Sequence, residues 1–214
     1  MSTYLWFFVA FLSGWAMRVL IGNLADLLQS RTYGRTYLAV GLWNVFLMLL
    51  VVEMWVAAPF VTAGSQVATE SFLLFILLPT AVTLMAYLLQ PEPGKYETEV
   101  EVSMEGEAAA DAPEEQQASG ATHRPLEEAF NRNRQFFFGI LLALPVVSVL
   151  REVLTGDFVL MSEDLGFRAL LALGAIAGFF VKGKRANTAL ASCMLAAIVA
   201  YTLIVFPYIN TKGV

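Results

Sequence analysis

Two apolar blocks of similar length, residues 1–90 and 125–214, are divided by a single polar run, Pro91–Arg124. The blocks constrain the fold more than any motif does, because they contain six stretches long enough to cross a hydrocarbon core. A crossing needs about 20 residues at a rise of about 1.5 Å each. The stretches cover residues 4–28, 36–58, 67–90, 130–153, 165–182 and 186–208, the fifth being short and glycine-containing. A bilayer interior offers no water to backbone N–H and C=O groups, so such stretches must be helical. The sequence therefore predicts an all-α polytopic membrane protein with three helices in 1–90, a flexible acidic loop over 91–124 and three helices in 125–214.

Charge is distributed as that division requires. Only 14% of the chain is charged and 58% is hydrophobic, whereas an ordinary soluble domain carries about 25% charged residues. The polar run holds nine of the eighteen acidic residues and two bases, which leaves nine acids and eleven bases for the other 180 residues. The acidic pI is thus a property of one loop, and nothing in the pattern points to nucleic acid. Cys193 is the single cysteine and precludes an intrachain disulfide. His123 is the single histidine and lies in the loop. That excludes bis-histidine haem ligation and histidine-rich zinc sites within the membrane, so no cofactor or metal is expected.

Lysine and arginine set the expected orientation. Arg31, Arg35, Lys95, Arg124, Arg132, Arg134, Lys182, Lys184 and Arg185 gather at one set of helix ends, against Arg151, Arg168 and Lys212 at the other. By the positive-inside tendency, both termini are extracytoplasmic and residues 91–124 are cytoplasmic, as in a bacterial inner-membrane protein. The N-terminal run MSTYLWFFVAFLSGWAM lacks a basic n-region and continues too far for a cleaved signal, so it is expected to remain as the first span. Within the loop, Tyr96, Thr98, Val100 and Val102 alternate with Glu97, Glu99 and Glu101. This is strand periodicity that could add to a cytoplasmic protein partner, while the remainder has the composition of a solvated tether. Pro125, Glu127 and Glu128 read as the first turn of the next helix.

Two groups of polar residues stand out against the apolar background. Arg18 lies on a four-residue stripe with Gly14, Gly22 and Asp26, beside Asn23 and at a depth similar to Asn44. Arg18, Asn23, Asp26 and Asn44 form either a permeation or headgroup site or a packed polar seam between the first two helices. The second group emerges from a weak internal repeat. A shift of 98 residues superposes helices 2–3 on helices 4–5, with Gly41 on Gly139, Glu53 on Arg151 and Glu70 on Arg168. Opposite charges at matching places in the outer part of the bilayer would form an ion-pair clasp between hairpins, or a charged vestibule, or would snorkel to lipid phosphate.

The remaining signals concern packing. Pro79 and Pro145 interrupt helices 3 and 4, as kinks or as hinges. Gly174 and Gly178 form GxxxG on helix 5, and Ser192, Ala196 and Ala200 form a small-residue stripe on helix 6. Both favour close helix approach, within one subunit or between subunits. Glu127–Arg132 fits EExxxR and resembles the first signature of the CAAX-type intramembrane proteases, but that family requires later histidine motifs and none follows His123. Gly156-Asp157 lacks the preceding glycine of the GxGD aspartyl proteases, and no phosphate-cradling glycine loop, TVGYG filter or arginine ladder is present.

Ionisable groups within a membrane mark pathways by default. The first functional reading is therefore an oligomeric channel or permeation module for ions or small solutes. The second is a non-catalytic membrane subunit, anchor or sensor whose acidic loop meets a cytoplasmic partner. An intramembrane enzyme is third, disfavoured by the missing histidine, cysteine and metal-ligand clusters. In each case the lipid bilayer is the first partner, and a homo-oligomer or a larger membrane complex the second.

Overall fold

The computed structural model describes residues 2–30, 38–63, 69–90, 123–155 and 162–211, with side chains over most of their length. They form six helices: α1 (Ser2–Ser30), α2 (Leu38–Ala63), α3 (Thr69–Leu88), α4 (His123–Thr155), α5 (Ser162–Phe180) and α6 (Lys184–Thr211). Among the described residues there is no strand. The alternating stretch 96–102 lies outside the described residues, as does most of the acidic loop.

The sequence-derived boundaries fall within a few residues of these helices, except that α4 begins at His123, seven residues before the apolar stretch. Pro125 accordingly sits in its first turn, where its missing N–H leaves no helical bond unmade. Four helices carry apolar windows long enough to cross a membrane: Phe7–Leu28, Leu38–Trp55, Phe130–Leu150 and Lys184–Ile204. The apolar parts of α3 and α5 are shorter, Ile76–Leu88 and Leu165–Phe180. The protein is an all-α helical membrane protein.

The helices pack in a closed order, α1 on α2, then α6, α5, α4, α3 and back to α1. A contact between α2 and α3 makes α1 the outer corner of a three-helix unit. Aromatic rings pack between α2 and α4. Trp43 of α2 meets Phe46 edge-on at 5.5 Å, and meets Phe137 and Phe138 of α4 at 5.3 and 5.4 Å. Phe130 extends the cluster to 6.0 Å from Phe137, and all five rings are buried. Edge-to-face pairs of this kind add about 0.5–1.5 kcal/mol each beyond area burial. In lipid that matters more than usual, since no hydrophobic drive holds helix to helix.

The glycines of α5 show how closely the second hairpin packs. A Cβ at Gly178 would lie 2.3 Å from the Phe138 ring of α4, and one at Gly174 would lie 2.2 Å from Met194 Sδ of α6. GxxxG is thus an intrachain packing device in this protein. The small-residue stripe of α6 behaves differently: Ser192, Ala196 and Ala200 are all exposed. Pro79 and Pro145 are both buried within their helices. Near Pro79, Thr80 and Thr83 donate to the carbonyls of Ile76 and Pro79, each at 2.8 Å. Hydroxyls that bond back one turn satisfy themselves without water, as an apolar surrounding demands.

Candidate functional site

Asn23 and Asn44 converge where α1, α2 and α3 meet. Asn23 is buried and uses both ends of its amide: Nδ2 donates to the Ala86 carbonyl of α3 at 2.9 Å, and Oδ1 accepts from Gln90 Nε2 at 2.9 Å. Asn44 is fully buried and donates Nδ2 to the Leu20 carbonyl of α1 at 2.7 Å. Its Oδ1 has no hydrogen-bond partner among the described residues, and neither has the buried Ser13 hydroxyl. The two asparagines thus lock α1 to α3 and to α2 through main-chain acceptors.

Arg18 and Asp26 do not join them. Both are exposed, on the side of α1 turned away from the bundle. The helical period accounts for the split, because residues four apart share a face whereas Asn23 lies five positions from Arg18 and Leu20 only two. The Arg18 guanidinium lies over the Trp15 ring, 5.5 Å from its centroid. Trp15 Nε1 in turn donates to the Tyr87 hydroxyl of α3 at 3.3 Å.

A second polar cluster lies at the same end of the bundle. Trp43 Nε1 donates to Asn187 Oδ1 of α6 over a long 3.4 Å, and Asn187 is itself buried. Arg134 of α4 is buried and donates from a terminal guanidinium nitrogen to the Phe179 carbonyl at 2.7 Å. Phe179 belongs to the last turn of α5, whose final carbonyls lack helical partners and carry the negative end of the dipole. Sequence reading places Arg134 among the bases of the loop side without assigning it this cap. The signal available was its position one turn beyond Phe130, on the face α4 turns inward. Lys182, Lys184 and Arg185 are exposed beside it, so the helix ends joined by these bonds form one basic end.

The outer charge set is only partly in view. The Thr202 hydroxyl of α6 is hydrogen-bonded to Glu53 Oε1, and it also lies 2.8 Å from the Ile198 carbonyl. Glu53 therefore ties α2 to α6. Arg168 is half-buried, next to Phe167, whose ring stacks on Tyr201 at 4.2 Å. The side chains of Glu70 and Arg151 lie outside the described residues, and so does the four-charge clasp as a whole. At the paired glycines of the repeat, a Cβ at Gly41 would meet nothing within 4 Å and one at Gly139 would reach Phe179 at 4.0 Å. Among the described residues, no three His, Cys, Asp or Glu side chains gather as a metal site. Comparison with family models, curated proteins and solved structures returns no match for this chain.

Proposed function

We propose that the protein is a non-catalytic membrane subunit, a sealed helical bundle that presents charged surfaces to other components of a membrane assembly. The observation that supports this reading is the aromatic packing between α2 and α4. Trp43, Phe46, Phe130, Phe137 and Phe138 fill the space between α2 and α4. The polar groups that would line a path through the chain are engaged elsewhere: Asn23 and Asn44 bond main-chain carbonyls, and Arg18 faces outward. The acidic loop on the basic side offers a second, cytoplasmic surface to a partner.

Reconstitution tests the reading directly. Purified protein in vesicles should pass neither ions nor small solutes, while purification in mild detergent should retain a stoichiometric partner that is lost on deleting residues 97–121. Conductance by the purified chain would overturn it.

A second reading, an oligomeric permeation module, draws on one specific observation. Arg18 and Asp26 lie on the outward face of α1, so copies grouped around α1 would line an axis with both charges. A ring of arginines favours anions. Under that reading Arg18→Glu reverses the anion preference of the conductance, and an unchanged preference would sink it.

A further inference from the structure

The outward face of α1 holds the charge that is hardest to account for by packing. Its apolar window runs from Phe7 to Leu28, and Arg18 sits near the middle, roughly 15 Å from either end at the helical rise. An arginine at that depth is costly unless it is paired or reaches water. Among the described residues Arg18 contacts the Trp15 ring and no carboxylate. Snorkelling to lipid phosphate is the usual relief. Here the side chain folds over a ring one turn away in its own helix, and the phosphate layer on either side is farther than an arginine can span.

Three features around Arg18 describe what would fit. Trp15 donates to the Tyr87 oxygen, which leaves the Tyr87 O–H free to donate in turn. The guanidinium, which can only donate, and the remaining phenol O–H both adjoin one indole and suit an anionic acceptor. Gly14 and Gly22 lie one turn before and after Arg18, and a Cβ on either would meet nothing within 4 Å. Bare backbone above and below a charge lets another helix approach closely. The exposed Phe7, Phe11 and Ile21 continue the face with apolar surface.

We infer that this face, centred on Arg18 with Tyr87 and flanked by Gly14 and Gly22, is the docking site for a transmembrane helix of another protein that carries an aspartate or glutamate at mid-span. Charge complementarity selects that occupant. A second copy in the same orientation, related by an axis normal to the membrane, would set Arg18 against Arg18. The copy's Asp26 lies two turns away along the helix, about 12 Å, and cannot reach across. The inference names a partner for the subunit reading and rests on it.

The test uses the full chain, labelled with a donor fluorophore, in phosphatidylcholine vesicles. The probe is an acceptor-labelled polyleucine helix with lysine flanks and one central glutamate, compared with the same peptide carrying glutamine. Energy transfer should report association about tenfold stronger for the glutamate peptide, as a charge-assisted arginine–carboxylate pair implies. Arg18→Gln should erase that preference and Arg18→Lys should keep part of it. Gly22→Leu should weaken association while leaving the charge in place, and serves as the second variant should Arg18→Gln fail to fold. Equal binding of the two peptides, or a preference that survives Arg18→Gln, would overturn the proposal. So would loss of the preference when phosphatidylglycerol replaces part of the lipid, since an anionic headgroup would then own the site. Transfer between copies of the protein that depends on Arg18 would point to a homo-oligomer and also overturn it. Failure here leaves flux and detergent co-purification untouched, so it is distinguishable from failure of the subunit reading.

Discussion

Helices α1 and α5 both carry small residues spaced for close approach, and they use them in opposite ways. The glycines of α5 are occupied: Phe138 lies against Gly178, Met194 lies against Gly174, and Arg134 holds the Phe179 carbonyl at the helix end. On α1 the bonds to neighbouring helices run through Asn44 on the Leu20 carbonyl, Asn23 on that of Ala86 and the exposed Trp15 on the Tyr87 hydroxyl, while Gly14 and Gly22 look into open space. Glycine spacing marks where a helix can come close. It carries no information about which helix does, or whether that helix belongs to the same chain. The glycines of α5 are covered within the bundle, and those of α1 are not.

That contrast can be broken at several points. Replacing Arg134 with alanine removes a charged donor from the Phe179 carbonyl, and about 1.5–3 kcal/mol of bundle stability should go with it. Denaturant titration in bicelles would measure the loss, and an unchanged midpoint would mean that α5 does not need its cap. Gly178→Ala should cost about 1–3 kcal/mol, because the added methyl meets a ring already packed against Trp43. Gly174→Ala should cost less than Gly178→Ala, since Met194 is a flexible chain that can move aside.

The seam of α1 sharpens the comparison further. Asn23→Ala loses two hydrogen bonds, at about 0.6 kcal/mol each in a membrane bundle, and leaves Gln90 without its acceptor. Asn44→Ala loses one bond and also removes a buried oxygen that has no partner among the described residues, so its net effect should be close to zero. If the Asn44 variant proves the more damaging of the two, its bond to Leu20 is worth more than both bonds of Asn23. Small effects are also expected on the outer face of α1. Gly14→Ala and Gly22→Ala should each stay within about 0.5 kcal/mol in the isolated protein, as exposed helical substitutions do. A larger loss would show that the face is already covered by its own chain.

Much of the architecture was legible before any coordinates. Six helices, their approximate limits, the helical entry at Pro125 and the close packing of α5 all follow from apolar run lengths and small-residue spacing. The candidate site was legible only as a list. Arg18, Asn23, Asp26 and Asn44 were identified as polar groups at membrane depth, yet they serve two faces. Stepping four residues at a time groups Arg18 with Gly14, Gly22 and Asp26 without saying whether that stripe points in or out. Asn187 and Gln90 escaped notice, and Arg134 is legible only as a base of the loop side, because each acts on a partner in another helix.

The amino-acid order alone was enough to decide that this chain lives in a bilayer as helices, because an apolar run of sufficient length leaves the backbone no other way to satisfy its hydrogen bonds. Which side of each helix is inside depended on the packing of all six. Contacts such as Trp43 with Phe138, or Asn23 with Ala86, join residues far apart in the chain, and their geometry exists only once the helices are side by side. That arrangement packed the aromatic rings of α2 and α4 together and left Arg18 on the surface.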